Sequence, residues 1–235
     1  MVDERLHPSS LITRPRHAVA GVHPSSLRAR QSQLEALHSE IRACRKCLDA
    51  GYPITPGGVF SGRAGARIMI VGQAPGLTEI QVLRPFNASS GRKLFQWLGR
   101  AGFDESDFRD TQYLSSVTKC YPGKLPNGRG DRRPSREEIQ LCRGYLDRTM
   151  AIIRPELIIP VGGLAIETLL GKFKLEDIIG GVFYRPAPWD ETVSVTVVPL
   201  PHPSGASAWT NAPENQELID KAVRELARLK RELDL

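Results

Sequence analysis

"ARIMIVGQAPG", Ala66 to Gly76, decides the fold. Ile68, Met69, Ile70 and Val71 form an unbroken apolar run with no polar face, as a strand buried on both sides requires. The run stops in Gly72-Gln73-Ala74-Pro75-Gly76, a turn too rich in Gly and Pro to extend it. A buried strand that delivers such a turn at its C-terminal end is the unit of an open parallel α/β sheet, whose ligands bind beyond the strand ends.

Working outward, the pattern repeats. "GRKLFQWLGRAGF" reads as a helix stopped at Gly102, and "QYLSSVTKCYP" as a second strand. "SREEIQLCRGYLDRTMAIIRP" opens with Ser135 and has Glu138 three residues on, a capping box, and closes before Pro155. "PELIIPVGGLAIETLLG" reads as strand, Gly turn and helix, "ETVSVTVVPLPHPSG" as a strand with a terminal loop, and "APENQELIDKAVRELARLKREL" as an amphipathic helix. Alternating strands and helices predict a parallel sheet covered on both faces, with four strands ending in short Gly/Pro loops. Its chemistry belongs where "GQAPG", "SSVTKC" and "PHPSG" converge.

On the other side of the first strand, Leu34, Leu37 and Ile41 recur at helical spacing from about Gln31 to Cys47. Residues 1–30, rich in Pro, Ser, Arg and His, read as a flexible basic tail, leaving 31–235 as one domain. "HPSSL" occurs there twice, at His7 and His23, too few copies for a repeat fold.

The 235 residues carry a net charge of +6, with 40% hydrophobic and 25% charged side chains. That is ordinary globular composition, and the basic balance (pI about 9.3) permits a polyanionic partner. No apolar run is long enough to span a membrane, and no signal-peptide core is visible, so a cytoplasmic protein is expected. In that reducing setting the four cysteines point to a metal or to redox chemistry rather than to disulfides. Cys44 and Cys47 form C-x-x-C, while Cys120 and Cys142 lie far downstream and far from each other. Structural zinc usually shows two close pairs; an iron–sulfur cluster tolerates such irregular spacing. Four unrelated thiols and a thioredoxin-type pair are the alternatives.

"VGQAPGLTE", "RPFNASSGRKL", "SSVTKCYP" with a later Cys, and "PLPHPSG", in this order, resemble the uracil-DNA glycosylase superfamily, closest to its family 4, iron–sulfur type. The resemblance covers roughly residues 40 to 232. It implies a three-layer α/β/α sandwich with a central four-stranded, mostly parallel sheet, in agreement with the covered parallel sheet read above, and a 4Fe–4S cluster held by Cys44, Cys47, Cys120 and Cys142, with zinc as the alternative. It implies a DNA repair hydrolase that flips uracil, and other deaminated bases beside it, out of DNA and cuts the N-glycosidic bond, leaving an abasic site. A monomer is expected.

Residue by residue, the resemblance makes His202 the donor to uracil O2 and places Gln73 where the family commonly has a water-activating Glu. Gly72, Ala74 and Pro75 would line the base pocket, Phe86 would be the stacking shelf, and Glu79 would hold the loop or assist water. Ser116 stands where the family commonly has a base-reading Asn, and Asn87 is the candidate substitute. Lys124, Arg129, Arg132, Arg133 and Ser204 are candidates for DNA contact. Trp209 is the candidate wedge, since "PSGASAW" lacks the bulky apolar residue often found there. The departures at Gln73 and Ser116 motivate a second reading: a non-catalytic protein that binds DNA lesions and keeps the fold and the cluster. A weaker third reading is an iron–sulfur redox or regulatory module.

Overall fold

The computed structural model describes residues 24–128, 130–204 and 208–235. In chain order it contains α1 (Pro24–Ala43), α2 (Lys46–Asp49), β1 (Ile68–Gly72), α3 (Leu77–Val82), α4 (Ser89–Arg100), α5 (Glu105–Thr111), β2 (Tyr113–Ser116) and α6 (Arg136–Ile153). There follow β3 (Leu157–Pro160), α7 (Gly163–Leu170), α8 (Leu175–Ile178), β4 (Phe183–Ala187), β5 (Asp190–Val197), α9 (Ala208–Asn211) and α10 (Pro213–Leu233).

The strands form one sheet in the order β2-β1-β3-β5-β4. The first four are mutually parallel, and β4 runs antiparallel to β5. Every residue of β1, β2 and β3 is buried, so both faces of the sheet are covered. The expected sandwich is therefore present, with five strands rather than four. The additional strand, "FYRPA", carries Pro186 and slips register there. Proline cannot donate to a ladder and is tolerated at a sheet edge, which is where β4 lies.

Helix α1 packs on α6, and α10 packs on α4. The first helix starts at Pro24, ahead of the periodicity that begins near Gln31. Tertiary contact supplies the difference. The Arg30 guanidinium donates to the carbonyls of Ile152 (2.7 Å) and Ile153 (2.5 Å) at the end of α6 and to that of Ala64 (2.5 Å). A cation over a helix C-terminus is favourable. The remainder of the expected tail, residues 1–23, lies outside the described residues. Helix α6 begins with the predicted box: Ser135 Oγ accepts from Glu138 N (3.2 Å), and Glu138 accepts from Ser135 N (2.7 Å). A cap of this kind contributes about 1 kcal/mol. Among the described residues, no helix is long and apolar enough to cross a membrane.

Candidate active site

Parallel pairing carries β1 and β2 side by side to their C-terminal ends. Beyond them, Val117 N donates to Gly72 O (2.9 Å) and Thr118 N to Gln73 O (3.2 Å), so the Gln73 turn is laced to the end of β2. The loop after β5 is held the same way: Leu200 N donates to Pro160 O and Gly162 N to Leu200 O, both at 2.9 Å. These bonds fix a cleft of about 510 Å³, a size typical of small-molecule sites. Gln73 and His202 both line it, as do Gly72, Ala74, Pro75, Glu79, Phe86, Ser116, Arg132 and Ser204. The three predicted loops thus converge on one space.

Phe86 is held unusually firmly. Its backbone is left-handed (φ 51°), and Arg109 donates to the carbonyls of Pro85 (3.0 Å) and Phe86 (2.8 Å). Its ring lies over Gly72, where an added Cβ would stand 3.0 Å from Cζ. The half-buried ring therefore presents an aromatic surface at the end of β1.

His202 is exposed at the cleft wall, with its ring over Gly162: a Cβ there would sit 3.3 Å from His202 Cβ and Cδ2. Gly162 has φ +89°, a conformation that favours glycine. Thr210 Oγ1 donates to the His202 carbonyl (3.0 Å). Surrounding protein pushes the His202 pKa below its ordinary 6.5, so the imidazole is neutral at neutral pH.

Glu79 caps the start of α3, its Oε2 accepting from Gly76 N at 2.5 Å. Burial raises its pKa, the Gly76 and Asn87 N–H groups lower it, and the nearby Asp131 charge raises it. Ser116 is buried, and its hydroxyl donates to Thr118 O (2.6 Å), which leaves only lone pairs for a ligand. Asn87 is not part of the cleft wall; its backbone N–H serves Glu79.

The basic loop is less free than its composition suggests. Arg132 is turned inward, both its terminal nitrogens bonded to the Glu138 carboxylate at 2.6 Å. Arg133 pairs with Glu167 at 2.7 Å, and Lys124 is exposed. Arg129 lies outside the described residues. Trp209, the candidate wedge, is half-buried and packs against the main core. Asp131, Ser115, Ser89 and Ser90 also line the cleft; the three serines lie in motifs quoted above without an assigned role, and Asp131 lies in none of them.

A second pocket brings together Cys44, Cys47, Cys120 and Cys142, walled by Ile41, Ile54, Leu141 and Tyr145. All four are free thiols. Burial pushes Cys47 up to about 11 and raises Cys120 and Cys142. Among the described residues no group of three or more His, Cys, Asp or Glu is placed to hold a metal ion. The four thiols line one pocket, and four soft donors there fit a sulfur-ligated metal centre.

A sequence model of the uracil DNA glycosylase superfamily matches residues 60–227. The chain belongs to that superfamily. It is 31% identical to the "Type-4 uracil-DNA glycosylase" of Archaeoglobus fulgidus over 197 residues, 82% of this chain and 92% of the relative. It is 32% identical to that of Sulfurisphaera tokodaii over 202 residues (83% and 84%). A "Type-5 uracil-DNA glycosylase" from Pyrobaculum aerophilum is 26% identical over 156 residues, 60% of this chain and 64% of the relative. The superfamily match spans both turns of the cleft as well as Phe86 and Ser116.

Proposed function

We propose that this superfamily member excises uracil from DNA by hydrolysing the N-glycosidic bond, leaving an abasic site. The observation that carries the reading is the convergence of Gln73, Phe86 and His202 on one cleft large enough to admit a nucleobase. The relatives named as uracil-DNA glycosylases support it.

A base inside a duplex is hidden by stacking, so it must be extruded at a cost of a few kcal/mol. Stacking on Phe86 offsets that by about 1–3 kcal/mol. As the C1′–N1 bond lengthens, negative charge gathers on the uracil and positive charge on the sugar. A neutral His202 N–H directed at uracil O2 stabilises the leaving anion, and a preorganised donor of this kind is worth about 3–4 kcal/mol. The Gln73 amide oxygen orients water. Ser116 Oγ accepts from the uracil N3–H, a one-point contact in place of the two an Asn makes. Weaker edge reading extends the substrate range to hypoxanthine and xanthine.

The cysteine pocket suits a 4Fe–4S cluster held by Cys44, Cys47, Cys120 and Cys142, a structural centre tying α1, α2, the end of β2 and α6 together. Lys124, Arg129 and Arg133 contact phosphates, and Ser204 meets the backbone at the cleft. The same proposal makes the protein a cytoplasmic monomer, in keeping with its free thiols.

A base-release screen tests the reading, using oligonucleotides with uracil opposite Gua, opposite Ade or unpaired, and hypoxanthine and xanthine likewise. Free uracil and an alkali-labile abasic site are expected. Tight lesion binding with no release from any substrate would replace this reading with that of a lesion-binding protein.

A further inference from the structure

The Gln73 amide cannot take a proton, yet hydrolysis releases one from the attacking water. Two carboxylates line the cleft, Glu79 and Asp131. Glu79 is engaged by the backbone, as the cap of α3 and the acceptor for Gly76 and Asn87. Asp131 is exposed to the cleft.

Its position is fixed by a hairpin. Lys124 and Asp131 bridge in antiparallel fashion, Leu125 N donates to Gly130 O (3.0 Å), and Arg132 N donates to Gly123 O (2.9 Å). The neighbouring Arg132 is clamped to Glu138 on α6. The Tyr121 hydroxyl donates to Asp131 Oδ1 at 2.8 Å, orienting the carboxylate. Its other oxygen, Oδ2, packs against the end of the Gln73 turn: a Cβ at Gly76 would stand 3.2 Å from it. Gly76 keeps that approach open, and a side chain there would crowd the carboxylate.

We propose that Asp131 is a catalytic residue, the base that takes the proton of the attacking water. The inference rests on uracil excision occurring in this cleft. The C1′–N1 bond breaks with its electron pair leaving on uracil N1. The water oxygen forms the new bond to C1′, and its proton passes to the Asp131 carboxylate and then to solvent. The uracil anion, held by His202, takes a proton from solvent. Gln73, on the turn that Asp131 packs against, orients the same water, so the task a single Glu performs elsewhere in the family is divided between two side chains.

The test compares wild type, D131N, D131A and Y121F in single-turnover uracil release and in affinity for a duplex with a non-hydrolysable 2′-fluoro-deoxyuridine. D131N should lose about 10²-fold or more in rate. Its affinity should hold or tighten, since a negative charge near phosphates is removed. Added formate should partly restore D131A, a rescue that a purely structural role would not show. Y121F keeps the carboxylate and should lose far less than D131N. D131N within about threefold of wild type in rate would overturn the assignment; so would Y121F losing as much as D131N, or no rescue by formate. No release by wild type would instead sink the uracil-excision reading, and this inference with it.

Discussion

Lys119 Nζ donates to Ser115 Oγ at 2.8 Å from a side chain that is 1% exposed. It also donates to the Ser116 carbonyl, and the same lysine lines the cysteine pocket. One buried ammonium therefore stands between the end of β2, where a base would be read, and the sulfur-lined cavity. Lys119→Met leaves the Ser116 carbonyl and Ser115 hydroxyl without this donor, at a cost of about 1–3 kcal/mol. The expected result is a lower denaturation midpoint together with weaker binding of uracil-containing DNA. Chemical denaturation and a binding titration check both; unchanged affinity would separate the lysine from the site.

Phe86 depends on a glycine five residues later. A Cβ at Gly91 would lie 1.8 Å from the Phe86 carbonyl oxygen and 2.4 Å from its carbonyl carbon, both rigid backbone atoms. Gly91→Ala must therefore displace either the shelf loop or the first turn of α4. The expected effect is a loss of at least about 1–3 kcal/mol in binding the flipped base, the worth of the stacking contact. Phe86→Leu, which removes the aromatic face and leaves Gly91 intact, should match it in the same titration.

The pH profile follows from His202. Desolvation lowers its pKa below 6.5, so the imidazole takes up its proton at a lower pH than a free histidine does. Protonation by itself still leaves an N–H donor, but an imidazolium beside the sugar opposes the positive charge growing there. The limb assigned to His202 should therefore lie below pH 6.5, and His202→Ala should remove it while costing about 10²–10³-fold in rate. A His202 limb above pH 6.5 would contradict the neutral-donor role. The stability sign agrees: the unfolded chain protonates at higher pH than the native one, so this residue disfavours the native state as pH drops.

The four cysteines predict a brown protein with about four irons per chain. Cys142→Ala should bleach it and loosen the contact of α2 with α6, which hydrogen exchange reads directly. A colourless protein with one zinc would overturn the cluster.

Much of this architecture was legible from local sequence. The β1 run and its Gly/Pro turn, the capping box of α6 and the order of strands and helices are signals carried by near neighbours. The fifth strand was not, because Pro186 reads as a breaker unless the strand is known to sit at an edge. Lys119 was equally hidden: lysine is ordinarily exposed, and only the folded chain brings Ser115, Ser116 and the cysteine pocket around it. Asp131 sits among Arg129, Arg132 and Arg133, where composition suggests a solvated basic loop. Its meaning comes from Tyr121 and Gly76, which meet it only in three dimensions. Glu138 read as a cap alone, and its second partner, Arg132, withdraws one expected phosphate contact.

The central claim is spatial: one nucleobase sits between the Phe86 ring and His202, beside Gln73. A crystal structure with a duplex carrying 2′-fluoro-deoxyuridine measures it directly. The account predicts an extruded uracil stacked on Phe86, with its O2 within hydrogen-bonding distance of the His202 ring. A uracil left stacked in the helix, or one seated elsewhere on the protein, would contradict it.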